Sequence, residues 1–322
     1  MTRIPKKLNR LISVKETDKN YLKVIKWLQK KKLLSKKLKC KECGGRMKMR
    51  KHRCQDHFLW RCQRRSHKKV SKSIRDRSFF SHSKLSLFKW LKFMYRFSQG
   101  LRLRQVDMME DEIAGSSTSL TVMAKKIRTV CEMAMRKEQD RRGQHIGGRK
   151  QFVAIDESNF RHKRKYGRGR VAGAWNRRKW VFGMLGVYKK KAGTKPVLRL
   201  VDKRTRRELV PLIRKHARRG STIISDEWRA YRVLPQFGYR HYTVNHSRSF
   251  VEPQTGAHTQ HIERAWRTYK ERVWRLRGNR TEEMLRQHLA VIEWHEWLGN
   301  KHPNGPLGRL FHDISKMYKV KH

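Results

Sequence analysis

Three acidic side chains of this sequence could form one metal-dependent centre: Asp156, Asp226 and Glu263. Carboxylate oxygens are hard ligands, which Mg²⁺ and Mn²⁺ prefer. Converging carboxylates can hold two such ions about 3.5–4 Å apart, which activates an attacking water or 3′-hydroxyl and stabilises the leaving 3′-oxygen of an in-line phosphoryl displacement. Each acid alone is an ordinary turn or surface residue. The prediction therefore depends on the elements that would position all three.

Glu263 lies near the start of a predicted helix in the stretch GAHTQHIERAWRTYK, residues 256–270. Thr259 is a candidate N-cap. An apolar stripe with helical spacing faces a core and consists of Ile262, Trp266, Tyr269, Val273 and Leu276. Lys270 follows two turns after Glu263, where its ammonium could contact a phosphate as a point charge. The alternative is a solvated Lys270 lying over Trp266.

Asp156 and Asp226 each end a predicted strand. Strands are predicted at residues 151–160, 180–190, 196–201, 221–226 and 238–244, and helices at 205–219, 227–234, around Glu263 and at 281–298. Up to the helix around Glu263, the order β-β-β-α-β-α-β-α is that of an RNase H-like α/β fold. In that fold the first and fourth strands are neighbours and the closing helix packs over their ends, so the three carboxylates would converge.

Other residues near these acids have more ordinary interpretations. Glu157 and Glu227 are expected to be structural or to face nucleic acid. Trp228 and Tyr231 are expected to pack the helix after Asp226. His246 and His258 could contact a scissile phosphate or could be structural histidines.

Residues 161–179 hold nine Lys and Arg residues and no acid, which predicts an exposed basic β-hairpin loop. We expect this loop to contact the phosphates of DNA. Its candidate contacts are Arg161, Lys163, Arg164, Lys165, Arg168 and Arg170.

Four of the five cysteines fall between Cys40 and Cys62, beside histidines, which favours a metal over disulfides in a reducing compartment. Cys40 and Cys43 form a CxxC followed by two glycines, the pattern of a zinc knuckle. Cys62 and His67 are the predicted second pair of ligands. The competing ligands are Cys54, His52 and His57, and the alternative to a zinc ribbon is a set of free thiols.

Residues 81–136 have helical spacing, with a long apolar helix, a short helix, a turn at GSSTS (residues 115–119) and another helix. This succession is typical of a helix-turn-helix whose recognition element is residues 119–128. Ser119, Lys125 and Arg128 are its candidate DNA contacts. The alternative is a plain helical linker bundle.

The charge predicts a polyanionic partner. The chain carries 82 Lys+Arg against 26 Asp+Glu, a formal net charge of +56. Ribosomal and chromatin proteins share this balance, so charge alone indicates a partner and no chemistry. No apolar run approaches the about 20 residues of a membrane span, and the first residues lack the apolar region of a signal peptide. The run KKKLLSKKLK could be a nuclear-import signal or a phosphate-binding face.

The blocks IDESNFRHKRKYGRGR, WVFGMLGV, STIISDEWRAY and VNHSRSFVEPQTGAHTQHIERAWRTYK, with the upstream CxxC and WRC, resemble DDE transposases of the Merlin superfamily and their bacterial ISXO-like insertion-sequence relatives. The resemblance covers about residues 20–300. It implies that Asp156, Asp226 and Glu263 match the acidic triad and that Lys270 matches the basic residue seven positions after the glutamate.

The resemblance also implies a zinc ribbon and a helix-turn-helix that bind terminal inverted repeats. One departure is Arg65, which stands where the family usually has its last zinc-binding cysteine, and His67 is the nearest substitute. The implied activity is cut-and-paste transposition by hydrolysis and strand transfer. The alternative is a domesticated or inactive transposase-derived protein that binds DNA without cutting it.

The predicted division is a basic arm and helix (residues 1–36), a zinc-ribbon-like module (37–80), a helix-turn-helix-like region (81–140), an RNase H-like catalytic domain (150–300) and a basic tail (301–322). The expected partners are the DNA of the transposon ends and of the target, and no membrane partner is expected. Because two ends must be paired in one complex, we expect a homodimer or a higher oligomer. The expected location is the nucleus, or the nucleoid and cytoplasm if the host is a prokaryote.

Overall fold

The computed structural model divides into two compact units, Met1–Val130 with His302–His322 and Cys131–Lys301. The structure describes residues 8, 10–11, 13–67, 69–101, 103, 105–160, 180–189, 193–244, 260–275 and 281–320. Within those ranges, every helix is too short or too polar to cross a membrane.

The first unit begins with helix α1 (Asp18–Lys30), followed by a small antiparallel sheet. Its strands are β1 (Lys48–Lys51), β2 (Phe58–Arg61) and β3 (Ser71–Ser73), with β2 in the centre. The buried ion pair between Arg75 and Asp56 fixes the chain that leaves this sheet, because the Arg75 guanidinium also donates to the carbonyls of Ser83 and Leu85 at 3.0 and 2.8 Å. The small module is therefore held by polar contacts as well as by its short strands.

Helices α2 (Leu87–Ser98), α3 (Gln105–Glu110) and α4 (Ser117–Arg142) follow. The Ser86 hydroxyl accepts from the Lys89 backbone N–H at 3.2 Å and caps the N-terminus of α2. Ser116 caps α4 in the same way, accepting from the Ser119 N–H at 3.2 Å. The predicted recognition element is thus the first part of a longer helix.

The last helix, α8 (Gly305–Met317), packs against α2 in the first unit. The sequence predicts only a basic tail for this segment. The helix forms because apolar side chains recur at helical spacing within it and are buried, namely Leu307, Leu310, Phe311 and Ile314.

The second unit is built on a sheet with five strands: β4 (Gln151–Ser158), β5 (Trp180–Tyr188), β6 (Thr194–Val201), β7 (Thr222–Ser225) and β8 (Arg240–Thr243). Their spatial order is β6-β5-β4-β7-β8. β4 pairs antiparallel with β5, and β5 with β6, whereas β4 pairs parallel with β7, and β7 with β8. The strand order along the chain and the adjacency of the first and fourth strands agree with the sequence-based prediction.

Helices cover both faces of this sheet, because successive strand residues point to opposite faces. Helix α5 (Arg206–His216) buries Leu209 and Ile213 against the face that carries Val153 and Ile155. Helices α6 (Gln260–Arg275) and α7 (Glu282–Trp294) bury their apolar stripes against the other face, which carries Ala154. A π-helical turn, His295–Gly299, follows α7.

The predicted helix at residues 227–234 is wrong. Two short 3₁₀ turns, Arg229–Tyr231 and Leu234–Phe237, replace it. Pro235 disfavours the α conformation of the residue before it, and Gly238 ends the second turn with a positive φ of 79°. The chain after Asp226 therefore stays close to the sheet.

β6 is an edge strand of this sheet. It contains Pro196, a residue found on edge strands because it donates no ladder hydrogen bond. The Leu198 N–H on the same strand donates to Glu293 Oε1 of α7 at 2.7 Å. Arg199 donates to the same oxygen at 2.8 Å. A buried carboxylate thus occupies a backbone donor that another strand would otherwise bond.

Candidate active site and metal centre

Asp156 lies near the end of β4, on the face covered by α6. The indole N–H of Trp266 donates to Asp156 Oδ2 at 2.8 Å, and the Glu157 backbone N–H donates to Oδ1 at 2.7 Å. Both carboxylate oxygens are therefore oriented by hydrogen bonds. The first of these bonds also fixes α6 over the end of β4.

Gly183 permits this contact. It is the partner of Asp156 in the β4–β5 register, and a Cβ atom built on it would lie 2.4 Å from the Trp266 ring. Any larger residue would displace the indole from its position beside Asp156. No local sequence pattern marks Gly183, because its role depends on the pairing of β4 with β5.

Asp226 follows β7, the parallel neighbour of β4. Ala154 pairs with Ile224, so Asp156 and Asp226, each two residues further along, occupy matching positions on neighbouring chain segments at the same end of the sheet. Asp226 is half-buried, and its Oδ1 accepts the Trp228 backbone N–H at 3.1 Å. The parallel pairing therefore brings together the two aspartates that the sequence analysis selected.

Glu263 lies in the first turn of α6 and is exposed. It precedes Trp266 by three residues, so both side chains lie on neighbouring positions of the helix. Because Trp266 is bonded to Asp156, the helix carries Glu263 to the same end of the sheet. The predicted apolar stripe is confirmed at Ile262, Trp266, Tyr269 and Val273, all of which are buried. Leu276 and Thr259 lie outside the described residues.

The negative charges of Asp226 and Glu263 affect the ionisation of Asp156. The pKa of Asp156 is raised to about 6, chiefly by burial and in smaller part by the charges of Asp226 and Glu263. The hydrogen bonds from Trp266 and from the Glu157 backbone oppose that rise. Burial likewise raises the pKa of Glu157 to about 8, with contributions from Asp156 and Asp226. A cation at this end of the sheet would relieve the repulsion.

Glu157 points to the opposite face of β4 from Asp156. Its side chain is buried, the Tyr231 hydroxyl donates to its Oε1, and Arg204 Nη1 lies 3.9 Å from its Oε2. Glu157 therefore anchors the segment after Asp226 and does not join the three acids. Tyr231 packs in the core as expected, whereas Trp228 is exposed, contrary to expectation.

Lys270 lies on α6 with its Nζ 5.8 Å from the centroid of the Phe160 ring, and not over Trp266. Burial lowers the pKa of Lys270, and the negative charge of Asp156 opposes that shift. The ammonium is therefore close enough to Asp156 to interact with it.

Among the described residues, the carboxylates of Asp156, Asp226 and Glu263 are not as tightly clustered as single-ion ligands would be. A pair of ions requires less convergence, because separate carboxylates can bind separate ions. The donor set consists of three carboxylates, and burial raises the pKa of one of them, Asp156. Such hard oxygen donors fit Mg²⁺ or Mn²⁺.

The first unit holds a tighter cluster. Ligand atoms of the four predicted residues, Cys40, Cys43, Cys62 and His67, all lie within 4.8 Å of one another. The Cys43 and Cys62 sulfurs are 3.6 Å apart. A tetrahedral Zn²⁺ with bonds of about 2.3 Å would separate two sulfurs by about 3.8 Å. The distances in this cluster therefore fit zinc.

Two further observations agree with zinc at this cluster. The His67 Nδ1 atom is buried without a hydrogen-bond partner among the described residues. Gly44 has a φ of +67°, and the Cys40 N–H donates to the Gly45 carbonyl at 2.9 Å, which closes the knuckle turn.

The competing ligands lie apart from this cluster. Cys54 and His52 are exposed, and the His57 ring stacks on Tyr21 with centroids 4.4 Å apart.

The predicted DNA contacts of the helical region differ in their exposure to solvent. Lys125 is exposed and Ser119 half-buried on α4. Arg128 is only 3% exposed, and burial lowers its pKa. A phosphate cannot reach Arg128 in this structure, so the prediction for that residue is corrected to an interior role.

The basic segment at residues 161–179 lies outside the described residues, and so do His246 and His258. The contacts proposed for that segment stay predictions. They are Arg161, Lys163, Arg164, Lys165, Arg168 and Arg170.

Residues 140–295 match the family model described as the ISXO2-like transposase domain. The matched range contains β4 to α7 and all three acids. No curated protein matches the chain.

Proposed function

We propose that this protein, whose residues 140–295 belong to the ISXO2-like transposase domain family, is a cut-and-paste DNA transposase with an RNase H-like catalytic domain. It binds terminal inverted repeats, hydrolyses the phosphodiester at the transposon ends and joins the 3′-hydroxyls to target DNA. Pairing two ends in one complex requires at least a homodimer. Its place of action is the nucleus, or the nucleoid of a prokaryotic host.

One observation carries the proposal more than any other. The parallel pairing of β4 with β7 sets Asp156 and Asp226 side by side, and the Trp266–Asp156 hydrogen bond holds the helix with Glu263 over them. A protein that only bound DNA would have no need to keep acids together within so basic a chain.

The residues have separate roles in the reaction. Asp156, Asp226 and Glu263 would hold two Mg²⁺ or Mn²⁺ ions. When bound, such ions activate the attacking oxygen and stabilise the leaving 3′-oxygen. The Trp266 N–H keeps one Asp156 oxygen oriented, and the Trp228 N–H does the same for Asp226. The ammonium of Lys270 would contact the phosphate beside them.

The N-terminal modules would supply end recognition. Cys40, Cys43, Cys62 and His67 would hold a structural zinc, whose role is to fold the small sheet. The α3–α4 segment would act as the helix-turn-helix, with Ser119 and Lys125 as candidate contacts.

The test uses labelled DNA carrying the transposon ends, with Mg²⁺, Mn²⁺ or EDTA. We expect metal-dependent nicking at the ends by the native protein. Asp156→Asn, Asp226→Asn and Glu263→Gln should each lower the cleavage rate at least about 10³-fold, since each removes a metal ligand. End binding should change little. Glu227→Gln is the matched control, because Glu227 is an exposed acid next to Asp226 and should keep its activity.

Equal loss of end binding in the three variants would contradict the metal-ligand role. Tight end binding by the native protein without cleavage under either metal would instead identify a domesticated, inactive transposase.

A further inference from the structure

Three side chains beside Asp226 form a Trp–Arg–Trp stack, which consists of Trp180, Arg204 and Trp228. Trp180 begins β5, Arg204 follows β6, and Trp228 lies two residues after Asp226. The guanidinium carbon of Arg204 lies 4.3 Å from the Trp180 ring centroid and 4.6 Å from that of Trp228. The guanidinium is thus sandwiched between two indoles.

Trp228 is exposed and yet fixed in place. Its indole N–H donates to the Arg204 carbonyl at 2.8 Å, and its backbone N–H donates to Asp226 at 3.1 Å. Arg204 covers one ring face and is itself held 3.9 Å from Glu157. Trp228 is nevertheless 38% exposed. Since one face and the N–H edge are occupied, the exposure belongs to the outer face and the benzo edge.

We propose that the outer face of Trp228 is a stacking site for one nucleobase, taken from the nucleotide next to the scissile phosphate after that base has left the duplex. This inference rests on the proposed function, because it is the Asp226 carboxylate that would place the scissile phosphate nearby. Nucleobases stack on exposed aromatic rings with little regard to sequence. A base inside a duplex has both faces covered, so only an unpaired or extruded base can use this ring.

The charges favour a nucleobase over a cation on the same ring. Arg204 already places a positive charge behind Trp228, so a second cation on the outer face would be repelled. A basic side chain from another copy of this chain is disfavoured for a second reason, since the net charge is +56. DNA is attracted by that same charge, and its bases are neutral planar rings.

The experiment measures binding without cleavage, in Ca²⁺, by fluorescence anisotropy with the full chain. Two probes share one duplex and differ in a short 3′ single-stranded tail, made either of thymidines or of abasic sites. We expect Trp228→Ala to weaken binding of the thymidine-tailed probe about 5- to 150-fold, the usual effect of losing one stacked base. Binding of the abasic-tailed probe should not change. Trp228→Phe keeps a ring and should restore most of the lost affinity.

Trp274→Ala is the matched control, because Trp274 is likewise an exposed tryptophan, 57% exposed, and takes no part in the stack, since it stands at the C-terminal end of α6. It should affect both tails equally. An equal effect of Trp228→Ala on both tails, or no effect, would overturn the proposal. A second readout uses 5-iododeoxyuridine in the tail. Photocrosslinks that map to Trp228 support stacking, and crosslinks that map only to other residues contradict it.

These results are separable from a failure of the proposed function. Binding in Ca²⁺ does not require the protein to cleave. A native protein that crosslinks at Trp228 but never nicks DNA would retain the stacking site and lose the transposase assignment. A protein that nicks DNA normally, but in which Trp228→Ala weakens binding of both tailed probes equally or not at all, would retain the transposase assignment and lose the stacking site.

Discussion

At the scale of single residues, the contact between Trp266 and Asp156 links a helix to a strand through one hydrogen bond. We expect Trp266→Phe to lower end cleavage about tenfold or more, because a hydrogen bond to a charged group contributes about 1.5–3 kcal/mol. Phe keeps an aromatic ring but lacks the outer indole atoms that meet Gly183, so the thermal midpoint should also fall by a few degrees. Cleavage rates at saturating metal and calorimetry check this. Unchanged cleavage would mean that the N–H does not orient Asp156.

His216 predicts a pH dependence of stability. It is buried at the end of α5, its Nδ1 is 3.0 Å from the Gln144 carbonyl, and burial, with the charges of Arg199, Lys215 and His145, lowers its pKa to about 4. The unfolded chain, with a His pKa of about 6.5, binds more protons between these values. The contribution of neutral His216 to the free energy of unfolding is therefore complete above about pH 6.5 and is lost as the pH falls towards 4.

The slope from this residue is at most about 1.4 kcal/mol per pH unit. Urea unfolding between pH 4 and 7 measures it. His216→Gln, which cannot be protonated in this range, should show a shallower fall in the free energy of unfolding than the native protein. Parallel curves for the two proteins would show that His216 is not kept neutral by the fold.

Some of these residues could be selected from the sequence and some could not. Asp156 and Asp226 follow short apolar stretches, which is a local signal of strand ends. Gly183 and Arg204 carry no such signal, because each acts through a partner far along the chain. The buried state of Arg128 was also hidden, since α4 is polar overall and an arginine on it is typical of a solvated face.

At the scale of elements, the zinc cluster makes a prediction about the small sheet. Because β1 to β3 are only three or four residues long, we expect the metal to be needed for their folding. Cys62→Ser or a zinc-selective chelator should remove the metal and lower the thermal midpoint of the first unit by about 5 °C or more. Metal content by mass spectrometry and circular dichroism provide the measurement.

Two variants sharpen that prediction. His67→Cys exchanges one zinc-binding side chain for another and should retain zinc. Cys54→Ser changes an exposed cysteine outside the cluster and should have no effect. Full stability without bound metal would contradict the assignment.

Periodicity predicted the strands of the second unit and the helices on its faces. It failed at residues 227–234, where Tyr231 and Leu234 are buried from two 3₁₀ turns and no α-helix forms. It also missed α8, because the basic residues among its apolar positions resemble a solvated tail. In both places, packing against a distant element decided the local structure.

At the scale of the whole molecule, charge makes the remaining prediction. With a net charge of +56, DNA binding should depend steeply on salt. If about 6–10 phosphates are contacted, affinity should fall about 10³- to 10⁵-fold between 50 and 200 mM salt. Anisotropy titrations over that range give the slope of log affinity against log salt. Asp226→Asn should keep the native slope, and a slope near zero would contradict phosphate-dominated binding.

The hydrogen bond from the Leu198 N–H of the edge strand β6 to Glu293 has a consequence for how this protein behaves when it is concentrated. An open strand edge is a template on which another chain can add a strand and begin to aggregate. Glu293 and Pro196 together remove two of the backbone donors that such growth would use. Molecules crowded along one DNA can therefore approach closely without β6 drawing them into irreversible strand-to-strand association. Glu293→Ala would leave the Leu198 N–H available to pair with a strand from another molecule.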